Sequence, residues 1–345
     1  MKKCFGLLLA LLIFGNADGQ HQSERIFYYV NNQSSYESLK AHIQQISILA
    51  PQAFKMDAEG SVTGEVDPRA LKLAKQHSVP VMPLVVNPGF DEEIIHSVLQ
   101  DSTARQLAIK SLLVLCKENQ FLGIQFDFEH IHVDYRDVYS QFVRETAAAL
   151  HQNGFILSAA IFPRTGDAPG ETPFQKWYFE FRAGAFDYKA LAEAADFLSI
   201  MTYDQHSSNT PPGPVAGLPW MERVIEYVLT KIPAEKFSLG IPLYSYHWFP
   251  SASETAVKST GRGMGFAQAM EVLNKSNAEI KWDEKQQVAL SYFENNDVFE
   301  FIFLEDARSF QAKYLLVEKY GLRGFSSWRL GLEDPAIWEM LVDLR

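Results

Sequence analysis

The sequence predicts an α/β protein with the (β/α)8 TIM barrel fold, in which eight parallel strands close into a ring surrounded by helices. Short, apolar, β-rich segments alternate along the chain with longer amphipathic segments, as is typical of proteins built on parallel sheets. There are eight such strand segments, and each but the last is followed by a helix or a long connection. A chain of 345 residues is long enough for one barrel with additions.

The apolar segments predict the strands, and the amphipathic segments predict the helices. The predicted strands are Arg25–Val30, Ser47–Phe54, Val79–Asn87, Leu122–Glu129, Phe155–Pro163, Phe197–Asp204, Phe237–Ser245 and Gly324–Arg329. The predicted helices are Tyr36–Gln45, Pro68–His77, Thr103–Gln120, Val133–Asn153, Tyr188–Ala195, Met221–Thr230, Asp306–Tyr320 and Pro335–Leu344. The last helix has Asp334 as its N-cap and Pro335 in its first turn.

The connection between the seventh and eighth strands is longer than the others and predicts a small α+β insertion at approximately 246–305. It contains a helix-like stretch, Gly265–Asn277, and two alternating runs, Glu279–Trp282 and Val298–Phe303. The turn formers Asn295, Asn296 and Asp297 lie between those runs. An ordinary long loop is the alternative interpretation.

Charge and cysteine content exclude several classes of protein. The chain has 31 Lys and Arg against 42 Asp and Glu, a net charge of −11, so we expect no nucleic-acid partner. Two cysteines cannot form a disulfide scaffold, and Cys116, in an apolar helical run, is predicted to be a core residue.

Residues 1–19 have the pattern of a signal peptide. Lys2 and Lys3 precede an apolar run, Cys4–Phe14, that is too short to span a bilayer. Ala17 and Gly19 are the small residues expected before a cleavage site. The sequence therefore predicts a secreted or periplasmic protein whose barrel occupies 20–345, without stable membrane insertion; an uncleaved anchor is the alternative.

The segment Phe121–Glu129 carries the most chemical information. Side chains alternate along a strand, so Gln125, Asp127 and Glu129 share one face, which we expect to point into the barrel. Glu129 lies at the carboxyl end of the strand, where barrel active sites are found. Residues two apart lie about 6.6 Å from each other, so the two carboxylates can touch and one pKa is expected to rise.

This segment resembles the Asp-Gly-x-Asp-x-Asp-x-Glu signature of family 18 glycoside hydrolases, the chitinases and their relatives. Asp127 and Glu129 match, whereas Leu122 and Gln125 replace two acidic positions of the signature. Since Gln125 cannot hold a negative charge, the proton sharing between two aspartates that is typical of chitinases is absent here.

The resemblance extends along the chain from Arg25 to Leu344. Met201–Asp204 is similar to the motif on the sixth strand, and Gly324–Trp328 is similar to the segment on the eighth. Four further segments are similar to the branch that contains bacterial spore-cortex lytic N-acetylglucosaminidases: Gly184–Leu191, Pro212–Ala216, Gly240–Tyr244 and Leu304–Arg308. Those relatives often carry LysM repeats, and none is visible in this sequence.

The resemblance implies a glycosidase that retains the anomeric configuration with help from its substrate. Glu129 would be the general acid and base, Asp127 would orient the substrate's acetamide group, and Tyr203 would donate a hydrogen bond to the acetamide oxygen. The substrate would be a glycan containing N-acetylglucosamine, such as chitin oligomers or peptidoglycan glycan strands. No cofactor is implied, and we expect a monomer.

Other residues have more than one interpretation. The resemblance implies that Trp328 floors the sugar site, where its ring suits stacking, although a core role is the alternative. The predicted substrate-binding residues are Gln125, Asp204, Trp328, Tyr244 and Glu305, and for Asp204, Tyr244 and Glu305 a structural role is equally open. The aromatic stretch Phe174–Phe186 is either a cleft-lining loop or buried packing.

Two other functions are compatible with parts of the sequence. The chain could be a glycan-binding lectin on the same barrel, although such proteins typically lose the acidic Glu that is present here as Glu129. His130 and His132 could belong to a metal-dependent deacetylase or amidase, with His206, His247 and Asp134 as further ligands. The pair follows the fourth strand rather than the first, so we predict no metal site.

Overall fold

The computed structural model describes residues 23–250 and 260–343, so the predicted signal peptide lies outside the described residues. The described residues form these strands: β1 (Glu24–Tyr29), β2 (Ile48–Met56), β3 (Val62–Gly64), β4 (Leu84–Val86), β5 (Gly123–Asp127), β6 (Ile156–Ile161), β7 (Phe197–Ile200), β8 (Phe237–Pro242), β9 (Tyr244–Phe249), β10 (Thr260–Gly265), β11 (Lys281–Asp283), β12 (Val288–Asn295), β13 (Val298–Leu304) and β14 (Gly324–Trp328). They also form these helices: α1 (Gln33–His42), α2 (Pro68–Gln76), α3 (Glu92–Gln100), α4 (Ser102–Asn119), α5 (Arg136–His151), α6 (Pro173–Tyr178), α7 (Tyr188–Ala194), α8 (Leu218–Leu229), α9 (Phe266–Lys275), α10 (Ala307–Lys319) and α11 (Ile337–Asp343). Among these, no helix is long and apolar enough to cross a bilayer.

Eight parallel strands form a closed barrel, which confirms the predicted fold class. The strand order is β1-β14-β8-β7-β6-β5-β4-β2, and β2 pairs with β1 to complete the ring. The closing register runs from Ile26 opposite Ile48 to Tyr29 opposite Pro51. The short strand β3 lies outside the ring and pairs antiparallel with β2.

The alternation of side chains along the strands produces two separate hydrophobic cores. One lies inside the barrel and includes Ile26, Tyr28, Leu84 and Phe197. The other lies between the barrel and its helices, and the alternate residues of β5 pack there together with Phe142 of α5. Cys116 is fully buried in this outer core, and burial raises the pKa of its thiol to about 12, which confirms that it is a core residue.

Two predicted strands differ from the structure in informative ways. The seventh predicted strand, Phe237–Ser245, consists of two strands in different sheets, because β8 ends at Pro242 and β9 begins at Tyr244. The third predicted strand is reduced to Leu84–Val86, with an isolated bridge between Val81 and Leu49. Helix α3 was not predicted.

The insertion after β8 is a five-stranded antiparallel sheet in the order β10-β9-β13-β12-β11. Helix α9 packs on one face of this sheet through Ala269 and Leu273. The β12–β13 turn has positive φ angles at Asn296 (51°) and Asp297 (62°), which asparagine and aspartate adopt more readily than most residues. The turn therefore lies where the sequence places turn formers, although β9, β10 and β12 were not predicted.

A buried ion pair joins the end of the insertion to the barrel. The Nζ atom of Lys313 in α10 lies 2.5 Å from Oε2 of Glu305, just after β13, and both side chains are almost fully buried. Ser309 also donates to Glu305 Oε2, at 2.8 Å, and the backbone N–H of Glu305 donates to Ser245 Oγ at 2.9 Å. Burial raises the pKa of Glu305 and the charge of Lys313 opposes that rise, so each ion depends on the other.

Replacing Lys313 with alanine is expected to lower the free energy of unfolding by about 3–5 kcal/mol, because Glu305 would remain buried without a cation. The measurement is urea unfolding near neutral pH. Lys319→Ala is the matched control, since Lys319 pairs with Glu222 at 2.6 Å in an exposed position on the same helix. Equal losses in the two variants would contradict the structural importance of the buried pair.

Candidate active site

One cavity gathers most of the side chains that the sequence singles out. It has a volume of about 250 Å³ and opens at the carboxyl ends of the barrel strands. The predicted site residues that line it are Asp127, Glu129, Tyr203, Asp204, Tyr244 and Trp328. Gln125 and Glu305 do not line it.

The end of β5 sets the positions of the two carboxylates. Asp127 is the last residue of the strand and is almost fully buried, whereas the Glu129 side chain is 18% exposed. Asn87, which follows β4, accepts from the Glu129 N–H and donates to the Glu129 carbonyl, both at 3.1 Å. The Asn87 amide also donates to the Asp91 carbonyl at 2.9 Å, so it fixes the backbone of Glu129 from the neighbouring strand.

Burial makes both carboxyl groups weaker acids. It raises the pKa of Asp127, while a long contact from the Gln52 amide, at 3.5 Å, opposes that rise. Burial also raises the pKa of Glu129, and the negative charges of Asp127 and Asp204 add to the effect, whereas Arg182 lowers it. The cavity therefore favours a protonated Glu129 at a pH where an exposed glutamate would be ionised.

Tyr203 reaches the cavity just beyond β7 and lies against β8. A side chain at Gly240 would come within 3.0 Å of the Tyr203 ring and 2.5 Å of the Ile200 carbonyl, so this close approach requires glycine. Burial raises the pKa of Tyr203 well above its usual range, so its hydroxyl group stays protonated and can donate a hydrogen bond.

Aromatic rings and one exposed carboxylate form the rest of the wall. The Tyr244 ring lies 6.2 Å from the Tyr203 ring, and its hydroxyl group donates to Asp204 Oδ1 at 2.6 Å. Trp328, at the end of β14, is half-buried and packs at 5.5 Å from Tyr28. One part of the Trp328 ring thus contacts the inner core while the residue also lines the cavity.

The segment after β6 brings in Arg182, a cation that the sequence patterns did not identify. Its Nη1 atom lies 3.3 Å from Glu129 Oε2. The aromatic stretch around it serves both of the roles that the sequence left open, since Phe174 and Trp177 are exposed whereas Phe186 is buried. No local motif marks Arg182, because only the folded loop brings it to Glu129.

Two further cavities adjoin the central one. A cavity of about 490 Å³ shares Tyr203 and Asp204 with it and is also lined by Arg164 and Trp220. Another, of about 440 Å³, is lined by His130, Trp177, Phe181 and Arg182. The open space beside Tyr203 and Asp204 therefore extends beyond the central cavity.

Comparison with known proteins identifies the family. Residues 25–333 match the family described as Glycosyl hydrolases family 18.

The chain belongs to glycosyl hydrolase family 18.

Its relatives include cortex-lytic enzymes and chitinases. It is 30% identical to the cortical fragment-lytic enzyme of Bacillus subtilis over 302 residues, which cover 86% of this chain and 68% of the relative. Among solved structures it is similar to a chitinase from Chromobacterium violaceum, with a TM-score of 0.83 and 27% identity, covering 93% of this chain and 98% of that one. The spore cortex-lytic enzyme SleL of Bacillus cereus has the same TM-score at 25% identity, covering 93% and 74%. The family membership and these relatives establish the chain as a glycosidase.

Gln125 departs from the family 18 signature, and its surroundings are neutral. It is fully buried below the cavity, and its amide donates to Ser158 Oγ at 2.9 Å and to Ser199 Oγ at 3.0 Å. The inward position predicted by strand alternation is therefore observed, but Gln125 contacts serines on neighbouring strands rather than lining the cavity. Glu305, in turn, lies in the ion pair with Lys313.

Three of the histidines considered as metal ligands lie near carboxylates of the protein. His132 Nε2 lies 3.2 Å from Glu180 Oε1, and His130 Nε2 lies 4.0 Å from Glu129 Oε2. His247 pairs with Glu300 at 2.6 Å inside the insertion. Within residues 23–250 and 260–343, no group of three or more His, Cys, Asp or Glu side chains is arranged to hold a metal ion.

Glu129→Gln is expected to raise the free energy of unfolding, and the gain should grow as the pH rises. Folding raises the pKa of Glu129, so the folded protein binds this proton more tightly than the unfolded chain and the parent loses stability with rising pH. The loss is about 1.4 kcal/mol for each pH unit by which the pKa is raised, and the amide avoids it.

The measurement is urea unfolding of parent and variant at about pH 5 and about pH 8, within the range that this linkage covers. Glu118→Gln, at an exposed position near the end of α4, is the control and should show no such gain. If the Glu129→Gln difference is the same at both pH values, the carboxyl group is not held in its protonated form.

Proposed function

We propose that this protein is an exported glycosidase that hydrolyses β-1,4 linkages next to N-acetylglucosamine, with the substrate's own acetamide group as the nucleophile. The observation that carries the proposal is the shared cavity of Asp127, Glu129, Tyr203 and Trp328 at the carboxyl end of the barrel. These are the positions that match the motifs of family 18.

Glu129 would act first as an acid and then as a base. In the first step it gives its proton to the glycosidic oxygen as the bond to the leaving sugar breaks. The raised pKa of Glu129 supports this role, because the group must carry a proton before the reaction begins. In the second step the Glu129 carboxylate takes a proton from water, which attacks the anomeric carbon and restores the original configuration.

Asp127 and Tyr203 would act on the acetamide group in the first step, as the glycosidic bond breaks. The carbonyl oxygen of the acetamide attacks the anomeric carbon and forms a cyclic, positively charged intermediate. Asp127 would accept a hydrogen bond from the acetamide N–H and stabilise the positive charge, and Tyr203 would donate to the acetamide oxygen. The aromatic face of Trp328 would support the distorted sugar ring.

The substrate class follows from this chemistry. The cleaved sugar must carry an N-acetyl group, so the candidates are chitin oligomers and the glycan strands of peptidoglycan. A cortical fragment-lytic enzyme and a chitinase match over most of the chain, which supports both candidates. Export is supported by the sequence pattern of residues 1–19.

Glu129→Gln is expected to lower the hydrolysis rate of chitin oligosaccharides and purified glycan strands about 100- to 10,000-fold, because an amide cannot donate the proton. The measurement is the release of reducing ends, with the product's anomeric form followed by NMR. Glu118→Gln, on the outer surface of α4, should retain the parent rate.

Two results would contradict the proposal in different ways. A Glu129→Gln variant as fast as the parent would exclude Glu129 as the acid. A parent protein that binds both glycans but cleaves neither would instead be a lectin on the family 18 barrel.

Removing N-acetyl groups from the substrate is expected to abolish cleavage, since the acetamide oxygen is the nucleophile. The experiment compares a fully acetylated N-acetylglucosamine oligomer with the same oligomer after complete deacetylation, at equal concentration. Cleavage of both at similar rates would show that the nucleophile belongs to the protein or to water.

A further inference from the structure

Arg182 occupies an unusual turn of the loop that follows β6. Helix α6 is followed directly by a wider π-helical turn, Phe179–Ala183, in which Arg182 lies. Turns of this kind are rare and occur frequently at functional sites. Here the turn places Arg182 in the wall of the 440 Å³ cavity, within 3.3 Å of Glu129, which lines the central one.

Aromatic rings hold the Arg182 side chain in place. Its guanidinium carbon lies 5.5 Å from the centre of the Phe162 ring and 5.6 Å from the centre of the Trp177 ring. Cation–π contacts of this kind restrict a long side chain that would otherwise be mobile. The Arg182 side chain is 26% exposed, and its guanidinium group reaches Glu129 Oε2 at 3.3 Å.

The other groups around Glu129 would not neutralise its charge. Asp127 comes from β5 and Asp204 from the segment after β7, and both disfavour the carboxylate form of Glu129. His130 is the other basic group within 4.0 Å, but burial and the charge of Arg182 lower its pKa, so it is neutral near pH 7. Tyr178, on α6, also lies within the electrostatic influence of Glu129, and burial keeps it neutral. Among the described residues, Arg182 is therefore the permanent cation paired with this carboxyl group.

We propose that Arg182 is a positioning residue for the reaction. It holds the Glu129 carboxyl group in place and stabilises its ionised form, so that Glu129 can both release and recover its proton. The inference rests on the proposed role of Glu129 as acid and base. Arg182 itself lies outside the strand motifs, on a loop of this chain.

The physical reason lies in the two steps that Glu129 performs. General acid–base catalysis is most efficient when the pKa of the group lies near the working pH. With burial and two neighbouring carboxylates alone, Glu129 would bind its proton very tightly. The ionised Glu129 that the second step needs would then be scarce. A cation at 3.3 Å offsets that effect and keeps both forms within reach.

The test measures the pH dependence of kcat/KM and kcat for Arg182→Gln and Arg182→Lys. In Arg182→Gln, the alkaline limb of kcat/KM should move up by roughly one pH unit, the low end of the effect expected from a nearby charge. Its kcat should fall about tenfold near neutral pH, because a proton bound one pH unit more tightly leaves about tenfold less carboxylate. Arg182→Lys should move the limb back towards the parent position, since it retains the positive charge. An alkaline limb unchanged in Arg182→Gln would overturn the proposal, because a purely structural role would lower the rate without moving the limb.

The matched control is Arg136→Gln, which removes a partly exposed arginine that pairs with Asp187 at 3.8 Å and does not contact Glu129. Its pH profile should match that of the parent.

A second readout separates this inference from the proposed function. Carbon-13 NMR of glutamate-labelled protein, with Glu129→Gln to assign the signal, follows the Glu129 carboxyl group directly and needs no substrate. Glu129 could titrate at a higher pH in Arg182→Gln while the parent hydrolyses no glycan. That result would contradict the proposed function and leave the electrostatic role of Arg182 intact. Hydrolysis by the parent with an unchanged titration would overturn the role of Arg182.

Discussion

Partial burial of the Glu129 carboxyl group, which limits its contact with water, is the constraint on which the site depends. A glutamate on the protein surface is ionised near neutral pH and has no proton to give. Glu129 differs because it lies two residues beyond the end of β5, in a cavity whose walls include aromatic rings and the carboxylates of Asp127 and Asp204. The barrel supplies this environment through the inward alternation of side chains at the end of a strand.

The surrounding residues adjust this environment from separate elements. Asn87, after β4, holds the backbone of Glu129, and Arg182, after β6, contacts its carboxyl group. Asp127 lies one pleat below, and Tyr203 comes from beyond β7. No short segment of sequence contains this set. The ring of parallel strands brings it together, because successive carboxyl ends meet at the same face of the barrel.

The sequence predicts those parts of the structure that depend on local patterns. Alternation along Phe121–Glu129 places Gln125 inside, and motif matches identify Asp127, Glu129, Tyr203 and Trp328 as candidates. Patterns do not reveal where a strand changes sheet: Phe237–Ser245 is continuous in hydrophobicity, yet β8 and β9 belong to different sheets. Nor do they reveal long-range partners. Glu305 is predicted to bind substrate, yet it lies in a buried ion pair with Lys313.

The short junction between the barrel and the insertion affects how a polymer could enter the cleft. Only Leu243 separates β8 from β9, and its N–H donates to the Trp328 carbonyl at 2.8 Å. Tyr244, which begins β9, is thus anchored beside the end of β14. A wall attached in this way has little freedom to swing closed over a ligand, so a glycan chain would have to bend to the shape of a preformed channel.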